Sequence, residues 1–147
     1  GFAGILARLA DVVAALIVRG WVEAGCGKAT GWVQVLRDPR LSRAIYAMHQ
    51  QPGLNWSVAE LAKEAGTSRS VFAERFLAAT GTTPAKYLSE LRMRLAIQYI
   101  RHENQPIETV ALRLGYGSLA AFSRAFKRII GHAPGTLREA SQTPEEV

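Results

Sequence analysis

Cysteine is almost absent. Cys26 stands alone among 147 residues, so no disulfide can form within the chain and a small disulfide-stapled scaffold is excluded. Histidine is scarce as well: His49, His102 and His132 lie far apart, no Cys/His cluster has zinc spacing, and neither a metal site nor a cofactor is expected. A glycine-rich phosphate loop is missing. Gly25-Cys26-Gly27-Lys28-Ala29-Thr30 holds a Gly-Lys pair, but its first glycine is too near and no strand leads into it. Long hydrophobic runs free of charge are missing too. The apolar stretch over 2–22 is interrupted by Arg8, Asp11 and Arg19, which speaks against a membrane span. No segment alternates convincingly with a period of two, so half-buried strands have no signal. Acidic residues are outnumbered, 12 against 18 Lys and Arg, and the net charge of +6 favours an anionic partner. Residues 1–36 carry a net charge of only +1; the remaining +5 lies beyond them.

What is present is helix punctuation. Over 2–22, Phe2, Ile5, Leu6, Leu9, Val12, Val13, Leu16, Ile17 and Trp21 have helical spacing with a wide apolar face, suited to a partner helix or a further domain. A small-residue loop, Gly25 to Gly31, separates it from the apolar run Trp32, Val33, Val35, Leu36. Asp38 is then placed to cap a helix with Pro39 at its first position and Leu41, Ala44, Ile45 and Met48 on one face. Pro52-Gly53 ends that helix. Ser57-Val58-Ala59-Glu60 is a capping box that opens the next, with Val58, Leu61, Ala62 and Ala65 inward and Gly66 as its stop. Ser68 caps a third, with Val71, Phe72, Phe76 and Ala79 inward and Gly81 closing it. Thr83-Pro84 opens a longer helix to about Arg101, striped by Tyr87, Leu88, Leu91, Leu95, Tyr99 and Ile100.

The pattern then repeats. Val58–Ala79 lies over Ile107–Ile129 if the second turn has one extra residue. Ala62 meets Ala111, Gly66 meets Gly115, Ser68 meets Ser118, Phe72 meets Phe122, Phe76 meets Phe126, Gly81 meets Gly131 and Pro84 meets Pro134. In the second copy Val110, Leu114, Ala125 and Ile129 complete the inward set, and Pro134 opens a last short helix near Leu137. A small residue at the helix crossing, a glycine stop and a capping serine are the layout of a helix-turn-helix. A single copy would match any helical hairpin; two copies with the same turn and paired Phe anchors are far harder to dismiss. The linking helix from Pro84 to Arg101 would be about 27 Å long at 1.5 Å per residue. Adjacent major-groove segments on one DNA face lie roughly 34 Å apart. With its flanking turns, the rod can hold two recognition helices about one DNA turn apart. The expected fold is therefore all-α: two helix-turn-helix modules joined by a long linker helix and preceded by an N-terminal helical segment. Its divisions fall at 1–36, at 37–140 for the double module, and at 141–147 for a flexible tail.

Several stretches of this layout resemble the DNA-binding domain of the AraC/XylS transcriptional regulators, over roughly Leu41 to Arg138. Ser57-Val58-Ala59-Glu60-Leu61-Ala62, Ala65-Gly66-Thr67-Ser68-Arg69-Ser70 and Phe72-Ala73-Glu74-Arg75-Phe76 are similar to the first module. Gly81-Thr82-Thr83-Pro84 with Leu91-Arg92-Met93-Arg94-Leu95-Ala96 is similar to the connecting stretch. Ile107-Glu108-Thr109-Val110-Ala111, Leu114-Gly115-Tyr116, Phe122-Ser123-Arg124-Ala125-Phe126-Lys127-Arg128 and Gly131-His132-Ala133-Pro134 resemble the second module. The resemblance implies a sequence-specific regulator of transcription in the cytoplasm, with double-stranded DNA as its partner and RNA polymerase as a second one if it activates. It implies no enzyme. Members often carry an upstream sensor and dimerisation domain, and the segment over 2–22 with the Trp32 run looks like the tail of one. A homodimer through 2–22 is thus an expectation. The opening Gly1-Phe2-Ala3-Gly4, with neither an initiator Met nor a basic leader, is read the same way, as following a missing upstream region.

Recognition helices are expected at Arg69–Ala78 and Leu119–Ile129. Setting aside the buried phenylalanines leaves Arg69, Ser70, Ala73 and Glu74 outward on the first, and Leu119, Ala120, Ala121, Ser123 and Arg124 on the second. Arg124 can bridge guanine O6 and N7, or hold a phosphate instead. Glu74 departs from the basic or amide residue frequent in the family; a carboxylate can accept from a cytosine amine or sit on the surface paired with Arg75. Phosphate contacts are expected from helix starts at Ser57, Ser68 and Ser118 and from Lys86, Arg94, Arg128 and Arg138. Two other classes stay open: a thiol chemistry at Cys26, with Lys28 lowering its pKa, and a protein-interaction module without salt-sensitive DNA binding.

Overall fold

The computed structural model describes Val35 and residues 37–139. Among these are seven helices and no strand: α1 (Pro39–Gln50), α2 (Val58–Ala65), α3 (Arg69–Thr80), α4 (Pro84–Arg101), α5 (Ile107–Arg113), α6 (Leu119–Ile130) and α7 (Thr136–Glu139). None of the described helices is long and apolar enough to cross a membrane. The segment over 2–22, Cys26 and the Trp32 run lie outside the described residues, as does the tail.

Five of the seven helices start where the sequence places a cap. Asp38 accepts from the Arg40 amide at 2.9 Å with Pro39 in the first turn, and Thr83 accepts from the Lys86 amide at 3.3 Å with Pro84 behind it. At α2 the capping box is reciprocal. The Ser57 hydroxyl accepts from the Glu60 amide at 3.2 Å, and the Ser57 amide donates to the Glu60 carboxylate at 2.8 Å. That backbone bond, with a second from the Ser57 hydroxyl, holds the Glu60 carboxyl below its ordinary pKa. The exceptions are α5, which begins after Pro106 with no side-chain cap, and α7, which begins at Thr136 because Pro134 and Gly135 form a turn ahead of it.

Two separate cores follow from these helices. The first gathers Leu41, Ala44 and Met48 of α1 with Leu61, Phe72 and Phe76, and takes Tyr87, Leu88 and Leu91 from α4. The second gathers Val110, Ala111, Leu114, Phe122, Phe126 and Leu137, and takes Met93, Ala96 and Ile100 from the same helix. Each fully buried phenylalanine contributes about 1.5–3 kcal/mol. The linker helix is thus the shared wall of both cores, changing allegiance between Leu91 and Met93. Arg92, between them, is the buried charged residue among the described residues.

One inward assignment fails. Val71 is 38% exposed, while Phe72, Phe76 and Ala79 are buried as expected. With 3.6 residues per turn, Val71 falls on the stripe of Arg75 and Ala78, both exposed, a turn of about 100° from Phe72. Ile45, Val58, Leu95, Tyr99, Ile107 and Ile129 pack on the cores but stay half-exposed.

Candidate nucleic-acid interface

The two turns repeat bond for bond. In the first, the Gly66 amide donates to the Lys63 carbonyl and the Thr67 amide to the Ala62 carbonyl, both at 3.0 Å. In the second, the Gly115 amide donates to the Leu112 carbonyl and the Tyr116 amide to the Ala111 carbonyl, again both at 3.0 Å. This is the same six-to-one helix stop in both modules, made possible by glycines at φ 67° and 82°. Ala62 and Ala111, nearly buried, carry the small crossing surface in each. The anchors repeat as well: Phe72 and Phe76 stand 5.6 Å apart at 47°, Phe122 and Phe126 5.7 Å apart at 50°. In the second turn Tyr116, the counterpart of Thr67, lies edge-on to Phe122 at 5.4 Å.

Each turn leads into a helix of 12 residues, α3 and α6, slightly longer than the sequence boundaries. Their first turns are fixed by Ser68, accepting from the Val71 amide at 3.4 Å, and Ser118, accepting from the Ala121 amide at 3.1 Å. On α3 the structure exposes Arg69, Ser70 and Glu74 and half-buries Ala73. On α6 it exposes Leu119, Ala120 and Arg124 and half-buries Ala121 and Ser123. Val71 joins the exposed set on α3, a position the sequence reading had turned inward. Its signal was available in the spacing, since Arg75 and Ala78 share its stripe.

Charge differs sharply between the two helices. Arg124, Lys127 and Arg128 give α6 three cations and no acid, whereas α3 sets Glu74 against Arg69 and Arg75. Glu74 does not pair with its neighbour: Arg75 reaches Asp38 at 3.9 Å, and Glu74 makes no ion pair among the described residues. Of the phosphate candidates, Lys86, Arg94 and Arg128 are exposed, and Ser57, Ser68 and Ser118 stand exposed at their helix starts. Arg138 differs. It is half-buried and donates to the Gln105 carbonyl at 2.8 Å, so part of its guanidinium is committed to its own chain.

The sequence pattern of the helix-turn-helix domain family matches residues 61–140, more than half of the chain. The chain belongs to the AraC/XylS family of transcriptional regulators. An AraC-like transcription regulator of Streptomyces lividans is 36% identical over 140 residues, which are 95% of this chain and 46% of that protein. This AraC/XylS member therefore spans less than half the length of that curated relative. Among solved structures, an AraC-type regulator from Chromobacterium violaceum superposes with a TM-score of 0.65 at 27% identity, covering 72% of this chain and 95% of the other. The DNA-binding domain of the global transcriptional factor AdpA, solved in complex with a target DNA, superposes with a TM-score of 0.63 at 29% identity over 70% of this chain and 92% of its own.

Proposed function

We propose that this AraC/XylS member is a sequence-specific regulator that reads two adjacent major-groove segments of duplex DNA, α3 entering one and α6 the next. The observation that carries the reading is the bond-for-bond repeat of the two helix-turn-helix turns, each presenting the exposed start of a 12-residue helix. The 18-residue linker helix between them, about 27 Å long, suits two grooves one turn apart. The AdpA domain, which shares this fold, is solved in complex with a target DNA, which supports duplex DNA as the partner.

In this reading α6 carries most of the base discrimination. Arg124 offers a guanidinium fork for guanine, Ala120 and Ala121 offer methyl contacts for thymine, and Ser123 and Leu119 line the same face. On α3, Arg69, Ser70 and Ala73 face the groove, and Glu74 suits a cytosine amine while it repels phosphate. Lys86, Arg94 and Arg128, with the helix starts at Ser57, Ser68 and Ser118, hold the backbone on either side. The chain is a binding protein rather than an enzyme, works in the cytoplasm, and meets RNA polymerase where it activates. Self-association belongs to the segment over 2–22.

Selection of bound duplexes from a random pool tests this directly. The expected product is two half-sites about one turn apart, sharper under α6. Arg124→Ala should cost about 1–3 kcal/mol on the selected site and relax one base position. Glu74→Gln should raise affinity for unselected DNA. Should Arg124→Ala weaken all sequences equally while Glu74→Gln erases the consensus, Arg124 is a phosphate clamp and α3 carries the specificity.

A further inference from the structure

We infer that Arg92 is the positioning residue that locks the two recognition helices at one separation and angle, and so sets the half-site spacing this protein accepts. The inference rests on the two-groove reading above and adds to it the device that fixes the geometry.

The two cores share only α4, and between Leu91 and Met93 the helix passes from one to the other. Each core packs on its own stretch of α4, and α4 sets the distance between the modules. Arg92 braces their relative angle by holding a turn of each module to one point on the helix. Its Nε donates to the Pro52 carbonyl at 2.7 Å and one terminal nitrogen donates to the Leu54 carbonyl at 2.8 Å. Both carbonyls belong to the turn after α1, some forty residues earlier and part of the first module. The same guanidinium lies over the ring of Tyr116, 5.6 Å from its centroid, in the turn of the second module. One side chain on the linker thus holds a turn from each side.

Backbone contact closes the joint. A Cβ placed on Gly115 would collide with the Gly53 carbonyl oxygen, and one placed on Gly53 would collide with the Arg113 carbonyl. The two turns therefore touch main chain to main chain, with the guanidinium beside them. The Arg92 cation is buried without an ion-pair partner among the described residues. Burying a cation is costly unless its donors are satisfied, so the planar fork is stable only while both carbonyls stay where they are. A lysine, as a compact point charge, cannot hold two carbonyls in that plane.

The test uses the full chain and the duplex chosen by selection, rebuilt with its half-sites one base pair closer and one base pair farther apart. One base pair turns the second half-site by about 35° and moves it about 3.4 Å. Wild type should lose at least tenfold in affinity on either shifted duplex. Arg92→Lys and Arg92→Met should lose about tenfold on the native spacing, yet discriminate among the three spacings by less than threefold. Their affinity for a duplex carrying only the α6 half-site should equal that of wild type, which a merely structural role would not leave unchanged. Retained spacing discrimination, or a proportional loss on the isolated half-site, overturns the assignment. If the Arg92 variants fail to fold, Gly53→Ala reaches the same joint from the other side. A shifted or broadened spacing optimum then supports the joint, and an unmoved optimum overturns it. A wild-type chain that prefers no duplex removes the DNA reading itself, and this inference with it.

Discussion

Gly66 and Gly115 occupy the same position in the two modules and carry the same left-handed backbone, φ 67° and 82°. Alanine at either should cost about 1–2 kcal/mol for the strain of an L-residue in that conformation. The structure separates them beyond that. A Cβ on Gly66 would meet nothing nearer than the Arg43 guanidinium at 3.8 Å, an ordinary contact with a flexible side chain. A Cβ on Gly115 would strike the Gly53 carbonyl and crowd the Arg92 guanidinium at 3.2 Å, so backbone must move. Forcing a methyl into packed surroundings adds about 1–3 kcal/mol. Gly66→Ala should therefore cost about 1–2 kcal/mol and Gly115→Ala about 2–5, the sum of the strain and packing ranges. Urea unfolding of the full chain, followed by far-UV circular dichroism, measures both. Gly53→Ala should carry the packing cost alone. Combined with Gly115→Ala it should cost less than the two added, because the first methyl has already parted the turns. Equal destabilisation at Gly66 and Gly115, or strict additivity with Gly53→Ala, would refute the joint between the modules.

Phe76→Ala and Phe126→Ala, each deleting a fully buried ring, should cost about 3–5 kcal/mol in a thermal or urea melt; a change within about 0.5 kcal/mol, the size of a surface effect, would mean the cores are misplaced. Duplex binding should weaken with salt at a slope of roughly −5 to −7 in log–log form if 5–8 phosphates are contacted; a flat response would count against backbone contacts. Desolvation, and secondarily the Arg94 cation, push the His49 pKa below its ordinary value, while the ring shares a hydrogen bond of 2.8 Å with the Tyr87 hydroxyl. The unfolded chain therefore takes up this proton first, so stability is lost as pH falls below about 6.5. His49→Gln should show a smaller loss between pH 7 and 5 by urea midpoint, and an identical loss would remove His49 from the cause.

Much of this was legible because it is local. Ser57 with Glu60, Asp38 with Pro39, and Thr83 with Pro84 announce helix starts through bonds that span two or three residues, and the structure makes those bonds. The repeat was legible for a related reason: Ala62 with Gly66 and Ala111 with Gly115 encode the same stop in the same few residues. Val71 is apolar and adjoins Phe72, so its type points inward, but its angle around the helix puts it on the exposed side. Arg92 sits in the connecting stretch Leu91-Arg92-Met93-Arg94, and nothing in its neighbourhood marks it off from Arg94 two residues later. Arg94 is exposed and Arg92 buried, and the difference lies in Pro52 and Leu54, which sequence spacing cannot bring beside it. Arg138 shows the same limit, since its Gln105 partner lies 33 residues away.

The two modules repeat in their turns but not in what braces them. The first has α1, 12 residues long, laying Leu41, Ala44 and Met48 against its core, and its α2 has a full capping box. At the other end stands α7, four residues that contribute Leu137 to the second core. Its α5 has seven residues and no side-chain cap, and helices so short are not stable by themselves. What secures it is borrowed. Arg138 from α7 ties down the Gln105 carbonyl just before α5 begins. Arg113 at its end lies over the Tyr99 ring of α4, 4.0 Å from the centroid, and reaches Glu103 at 3.9 Å. The module with the more strongly basic recognition helix is thus the one that leans most on its neighbours. The packing of α5 and α7 on α4 matters more to α6 than the equivalent packing does to α3, because α6 has less of its own scaffold to hold Arg124 in place.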